Sequence, residues 1–600
     1  MVVDFRKRSN LMSMVMAGLC VIVIGQLVWV QGIQAPKLTA ESASQRTMTA
    51  VETPNRGQIL DSAGQPLAYT LTAKALTFQP VEVRRKLTAQ QEISPTSPDP
   101  DTYIADAAAK IHELLGDAAP EKKLLEQMNG TAQFVYLARQ VDPAKAAEIT
   151  SEFSLVGADP DNVREYPGGA LAANIVGAVK PNGEAALGLE SSMDALLAGT
   201  AGSKTYDQGS AGDEIPGSLR DVHPAVDGSN VQLTLDSDLQ YFLQQAVQSA
   251  KDKSGAENVS ALVLDAKSSH VLAMSNDNTL DPSLGLGDPA NAKAELGNLS
   301  VSTPFEPGSV NKIITAAAAI EDGLTTPDEV LQVPGSITMD NATVADAWVH
   351  GVAPYTTTGV FGKSSNVGTL MLAQRVGPER FSDMLTKFGL GQRTDVGLPG
   401  ESAGMVPALD QWSGGTFANL PIGQGLSMTL LQMAGLFQTI ANDGTRIPPR
   451  IVQGIIGPDG EVQAPDEPEP VQVVSPETAR TVRDMFRAVV QDDTGNQRGT
   501  GVEAAVEGYQ VSGKTGTAQQ VDPACGCYSN SDYWITFAGM APTDDPRYVI
   551  AIMLDKPQRS SDGTGGQSAA PLFHDIAAWL LQRDRVPMSP PAPQLVLQAD

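Results

Sequence analysis

The chain has 600 residues (62.9 kDa), 42% hydrophobic and 18% charged, enough apolar side chain for two or three packed domains and too much for a wholly disordered polymer. With 41 Lys+Arg against 69 Asp+Glu the formal net charge is −28, so like-charge repulsion argues against a nucleic-acid partner. Three Cys and five His, with no Cys-x-x-Cys and no His-Glu-x-x-His, speak against a structural zinc and zincin chemistry, and no metal or cofactor is expected.

Arg6, Lys7 and Arg8 precede an uncharged apolar run from Leu11 to Ile33. Roughly 20 such residues cross a hydrocarbon core as a helix, so 11–33 is expected to span a membrane. The basic cluster before the run makes 1–10 a cytoplasmic tail and puts the rest outside the cell membrane. No convincing small-x-small cleavage site follows it, and the run is too long for a typical signal h-region. Leu19 stands where lipidation of Cys20 would need a small residue, so Cys20 is read as a thiol within the span.

Residues 34–228 read as one loop-rich α+β module. Ile104–Leu115 and Glu121–Met128 have helical apolar spacing, and clusters such as Tyr166-Pro167-Gly168-Gly169 mark turns. No catalytic pattern stands out there. From Asn230 the character changes. Val231–Leu235 alternates as a strand, and Leu239–Ala250 follows as a helix capped by Asp236 or Ser237. Ala261–Asp265 and Val271–Met274 read as strands, as do Tyr533–Met540 and Tyr548–Leu554, with a closing helix over Pro571–Arg583. Strands at both ends of a helical middle predict an α/β domain over 229–586, built on an antiparallel sheet flanked by helices. Gly457–Pro476 is Pro- and acid-rich and reads as a surface insertion. The tail from Val586, taken as a segment over 587–600, is too Pro-rich to be expected to pack. Cys525-Gly526-Cys527 would close a very small ring, and either a bridge or two free thiols is open there.

The sharpest pattern is Pro307-Gly308-Ser309-Val310-Asn311-Lys312, ahead of a helix-forming run that Gly323 can end. It places Ser309 at a helix start with Lys312 one turn on, where partial burial and the helix dipole favour a neutral, proton-accepting amine. This is the only Ser-x-x-Lys in the chain. Alone it fits a Ser cap followed by a surface Lys equally well. Two companions change that. Ser364-Ser365-Asn366 follows Gly362, and the single Lys514-Thr515-Gly516-Thr517 lies in the alternating stretch Tyr509–Ala518. None of the five His falls in or beside these motifs, which favours a Ser-Lys over a Ser-His mechanism.

In order and spacing the three motifs resemble the active-site set of penicillin-binding proteins and serine β-lactamases. The resemblance extends further. Arg56-Gly57-Gln58-Ile59-Leu60-Asp61, Arg164-Glu165-Tyr166-Pro167 and Gly188-Leu189-Glu190 look like motifs of the non-catalytic pedestal, or dimerisation-like domain, of class B penicillin-binding proteins. Ile422-Gly423-Gln424-Gly425, with Thr429 and Gln432, is similar to a recurring stretch of their transpeptidase domain. Val28-Trp29-Val30-Gln31 and the layout most resemble the cell-division, FtsI-type members. The resemblance implies a peptidoglycan D,D-transpeptidase. Ser309 would attack between the two terminal D-alanines of a stem peptide and Lys312 would take its proton. Ser364 would relay a proton and Asn366 would hold Lys312 and the substrate amide. Lys514, Thr515 and Thr517 would receive the terminal carboxylate. Gly516 would let substrate lie against the strand, and the Ser309 and Thr517 N–H groups would form the oxyanion hole. It also implies acylation of Ser309 by β-lactams, and a SEDS-type glycan polymerase and divisome membrane proteins as partners.

Rival readings are an elongation-type transpeptidase, a D,D-carboxypeptidase, a divisome scaffold and a β-lactamase. The last is disfavoured because no Glu-x-x-x-Asn lies between Asn366 and Lys514.

Overall fold

The computed structural model describes residues 5–209, 214–339, 342–413, 415–558 and 565–599. They form two compact units, Met1–Asn55 with Ala198–Gly228, and Arg56–Leu197 with Ser229–Asp600. Residues 34–228, expected as one module, are therefore shared between two bodies. In the first unit, Arg8–Ile33 is 26 residues long with a mean hydropathy of 2.3, sufficient to cross a membrane. The same unit holds a three-stranded antiparallel sheet of Thr47–Glu52, Gly202–Asp207 and Arg220–His223.

In the second unit, residues 74–160 make a small α+β lobe. Its helices Pro100–Leu115 and Pro143–Glu152 begin at Pro, where the missing N–H costs nothing, and are capped by Asp99 and Asp142. The three pedestal motifs meet beside it around one buried carboxylate. Glu190 accepts from Arg56 Nε at 2.6 Å and Arg164 Nε at 2.7 Å, and the hydroxyl of Tyr166 lies 3.4 Å away. Glu190→Ala is expected to lower the unfolding free energy by about 3–5 kcal/mol, since it leaves the buried Arg164 without a carboxylate and takes one of two from Arg56, which keeps Asp194. Chemical denaturation followed by tryptophan fluorescence measures it.

The catalytic-motif part is built on five antiparallel strands: β1 (Asn258–Asp265), β2 (Val271–Asn276), β3 (Ser512–Asp522), β4 (Cys527–Ala541) and β5 (Tyr548–Asp555). Their order is β2-β1-β5-β4-β3. Side chains alternate across the sheet. Val549, Ala551 and Met553 of β5 enter one core with helix Leu430–Ala441, whereas Ile550, Ile552 and Leu554 enter another with helices Ser237–Ser254 and Gly565–Arg583. Covering both faces is why β5 is buried along its whole length. The expected α/β sandwich with an antiparallel sheet is thus present.

Three expectations are corrected. The closing helix starts at Gly565, not Pro571; the proline lies inside it and forgoes one i→i−4 bond while the flanking apolar residues pack against the sheet. Within the Gly457–Pro476 insertion, Val471 and Gln472 pair with Thr445 and Arg446, and Val473 and Val474 are buried. The Pro-rich tail packs as well: Leu597 is fully buried and Tyr509 Oη donates to the Val586 carbonyl at 2.6 Å. Proline spares the tail unmet donors, and side chains of the domain supply partners for the rest.

Candidate active site

Ser309 sits in a tight 3-10 turn, Gly308–Asn311, that runs into α1 (Lys312–Glu321). Glycines allow this turn to wedge between β3 and the 420–425 turn. Gly308 has φ +56°, and a Cβ there would lie 3.1 Å from Ala518 Cβ. Gly423 has φ +81°, and a Cβ on it would come within 2.0 Å of the Gly308 carbonyl oxygen, while its own carbonyl accepts from Gly308 N–H at 3.1 Å. Gly516 faces the same way. A Cβ on it would strike Thr536 Oγ1 at 2.1 Å and the Pro307 carbonyl at 2.9 Å. The missing Cβ of Gly516 thus makes room for the loop that carries Ser309.

Ser364 and Asn366 flank the junction of α2 (Thr357–Gly362) and α3 (Asn366–Val376). Ser364 has φ +60°, a left-handed conformation that costs a non-glycine residue about 1–2 kcal/mol. That geometry accompanies a carbonyl turned toward Lys312. The fully buried Lys312 Nζ donates to Ser364 O at 2.8 Å, Asn366 Oδ1 at 2.7 Å and Ser364 Oγ at 3.3 Å. Lys514, also fully buried, donates from Nζ to the same Ser364 Oγ at 2.9 Å and to Thr515 O at 3.0 Å. Lys312, the 364–366 turn and Lys514 thus meet in one network next to the turn that carries Ser309, with Ser364 Oγ bridging the two amines. Among the described residues no hydrogen bond joins Ser309 to Lys312; the amine expected on Ser309 is engaged by the 364–366 turn.

Burial drives Lys312 down to about 7, with the charge of Asp346 opposing the shift. Lys514 is also pushed well below the ordinary lysine value, first by burial and then by the neighbouring charge of Lys312. Two ammonium groups sharing one hydroxyl are disfavoured in such a place.

Thr517 is exposed on β3, whereas Thr515 is buried with its hydroxyl 2.9 Å from Thr500 Oγ1. The Thr515 carbonyl braces Lys514 at 3.0 Å.

Sequence reasoning missed Asp346. Its buried carboxylate accepts from Ser365 Oγ at 2.8 Å, Val367 N–H at 3.0 Å and His350 Nε2 at 3.0 Å, and Asn366 Nδ2 donates to the adjoining Ala345 carbonyl at 3.0 Å. One His therefore does stand near the motifs in space. No short motif marks an Asp about 20 residues ahead of the turn it holds. Also missed was Glu306, three residues before Ser309. It accepts from Gly425 N–H at 2.9 Å and from Tyr528 Oη at 3.1 Å, and burial raises its carboxyl above the usual range. Tyr528 follows the β3–β4 hairpin tip, where Cys525 and Cys527 form a disulfide.

Residues 259–578 match the family model of the penicillin-binding protein transpeptidase domain, and 51–233 match that of the penicillin-binding protein dimerisation domain. The chain belongs to the class B penicillin-binding proteins. It is 61% identical over 605 residues to penicillin-binding protein PbpB of Mycolicibacterium smegmatis, covering 99% of this chain and 93% of the relative. To the peptidoglycan D,D-transpeptidase FtsI of Escherichia coli it is 30% identical over 567 residues, covering 93% and 89%. Among solved structures, penicillin-binding protein 3 of Mycobacterium tuberculosis in complex with aztreonam superposes with a TM-score of 0.73 at 52% identity, over 92% of this chain and all of the other. The resemblance to FtsI-type class B proteins is borne out.

Proposed function

We propose that this class B penicillin-binding protein is a serine D,D-transpeptidase that cross-links peptidoglycan stem peptides through an acyl-enzyme on Ser309, in septal wall synthesis. The observation that carries the reading is the convergence of Lys312, Ser364, Asn366 and Lys514 beside Ser309.

Ser309 Oγ attacks the carbonyl between the two terminal D-alanines, and its proton passes to Lys312. A neutral Lys312 keeps two N–H donors and gains one lone pair. It can therefore hold Asn366 Oδ1 and Ser364 O while releasing Ser364 Oγ and accepting from Ser309. Ser364 Oγ, within reach of both amines, hands a proton on to the departing amine. D-Alanine leaves, and an ester remains on Ser309. An acceptor amine then attacks that ester, Ser309 recovers its proton, and a new amide joins two strands. The terminal carboxylate of the donor lies by Thr517 and Lys514. Its negative charge restores the ammonium form of Lys514, and that positive charge in turn holds Lys312 neutral. The Ser309 and Thr517 N–H groups receive the oxyanion, where one donor is worth about 10²–10³ in rate. β-Lactams present a carboxylate beside a strained amide and follow the same path to an ester that persists.

The membrane-spanning helix, with its basic residues cytoplasmic, keeps this chemistry at the outer membrane face where the polymer lies. A SEDS-type glycan polymerase and division proteins are the partners implied by the relatives' family. The testing experiment supplies a stem pentapeptide donor and an amine acceptor to the full chain. Release of D-alanine with formation of the cross-linked product, both blocked by a β-lactam, is expected. Release of D-alanine with hydrolysis alone would instead identify a carboxypeptidase.

Acylation should depend on pH with a defined sign. The base is the neutral amine of a lysine held near 7, so the rate should be flat above about pH 8 and fall roughly tenfold per unit below about pH 6. Stopped-flow acylation by a chromogenic cephalosporin across that range measures it.

A further inference from the structure

We propose that segment 593–599 is a strap that holds both walls of the cleft in register, making Leu597 and Gln497 positioning residues for acylation. The inference rests on reading the cleft as the acylation site. It concerns residues beyond 578, where the match to the transpeptidase family model ends.

The strap is bonded along both edges. On one edge Leu595 N–H donates to Gln491 Oε1 at 2.7 Å and Gln491 Nε2 returns a bond to Leu595 O at 2.9 Å. Two residues on, Leu597 N–H donates to Gln497 Oε1 at 2.7 Å and Gln497 Nε2 donates to Gln598 O at 2.8 Å. On the other edge Thr356 donates from N–H to Leu597 O at 3.1 Å and from Oγ1 to Val596 O at 2.6 Å, and Ala599 N–H reaches Pro354 O at 2.8 Å. Between the edges the Leu597 side chain is fully buried. Two glycines of α2 make its seat: a Cβ on Gly359 would fall 1.7 Å from Leu597 O, and one on Gly362 would fall 3.1 Å from Leu597 Cδ2.

Each edge leads to a different catalytic motif. α2 ends at Gly362, two residues before Ser364, whose carbonyl and hydroxyl hold the two amines. The 491–501 loop ends beside Thr500, whose hydroxyl meets Thr515 next to Lys514. Lys363 Nζ donates to Arg498 O at 3.0 Å and ties the two routes together in front of the strap. A segment that filled space would not need paired glutamines on one side and a strand edge on the other. Loss of the strap frees both walls, and a misplacement of about 1 Å at a reacting centre costs on the order of a hundredfold in rate.

The test uses the full chain in detergent, labelled with fluorescent penicillin over time between pH 5.5 and 9. Wild type and Ser309→Ala are run first. A wild type that is not labelled at Ser309 overturns the reading of the cleft and the strap with it. With that reading standing, deletion of 594–600 should slow acylation at least about tenfold at pH 7. It should also move the rise with pH upward, because a looser site lets Lys312 regain water. Adding the peptide of residues 594–600 should restore both, and the same peptide carrying Leu597→Asp should restore neither. If the deletion chain does not fold, Gln497→Ala and Leu597→Ala in the intact chain should each slow acylation several-fold with the same upward shift. Wild-type rates and an unmoved pH profile in the deletion, or in both point variants, overturn the strap.

Discussion

Ser309→Ala is expected to remove covalent labelling by penicillin altogether while leaving the thermal midpoint within a degree or two of wild type. Both halves follow from the same geometry. The ester to a β-lactam needs the one oxygen that the substitution deletes. Among the described residues the Ser309 hydroxyl has no side-chain hydrogen bond to lose, and the residue is held by its backbone between Gly308 and the 420–425 turn rather than by its hydroxyl. Non-covalent affinity for the antibiotic should survive, because Lys514 and Thr517 remain. Gel fluorescence reads the first part and differential scanning fluorimetry the second. A Ser309→Ala chain labelled as fast as wild type would move the nucleophile elsewhere.

Lys312→Ala carries the next largest effect. Removal of the proton acceptor should slow acylation by about 10²–10⁴, the usual worth of a positioned general base. It should also flatten the pH profile around 7, because the group that titrates there is gone. Stability should fall too, since Ser364 O and Asn366 Oδ1 each lose a bond at 2.7–2.8 Å, and a buried acceptor left unmet costs about 1–3 kcal/mol. Lys312→Arg should not rescue the rate. A guanidinium stays protonated at any workable pH and does not fit a site sized for an amine. Single-turnover acylation measures the rate, and urea unfolding measures the stability.

The motif residues were legible in the sequence because each is a local signal. Pro-Gly-Ser sets a turn ahead of a helix, and Lys follows at helical spacing. Lys-Thr-Gly sits in an alternating strand, and the 364–366 turn precedes an apolar helix. What stayed hidden depends on distance along the chain. Asp346 earns no motif of its own, and only packing brings its carboxylate to Ser365 and Val367. Glu306 and Tyr528 are 222 residues apart, and their contact exists only once the β3–β4 hairpin is in place. The room that Gly516 leaves for the Ser309 loop was hidden too, because which face of β3 a residue takes follows from register with β4, where Gly516 opposes Thr536. The tail misled for a related reason. Proline density signals an unpaired backbone, yet here the glutamines at 491 and 497 supply partners that composition cannot reveal. The pedestal motifs were visible as short strings, but their common purpose, two arginines on one buried glutamate, is a tertiary fact.

The most direct test is to map where a β-lactam attaches. The full chain is acylated to completion, digested, and the adduct located by tandem mass spectrometry. One equivalent of adduct on Ser309, with none on Ser364 or elsewhere, is the expected result. An adduct on any other residue, or no adduct on a folded chain, would contradict the account.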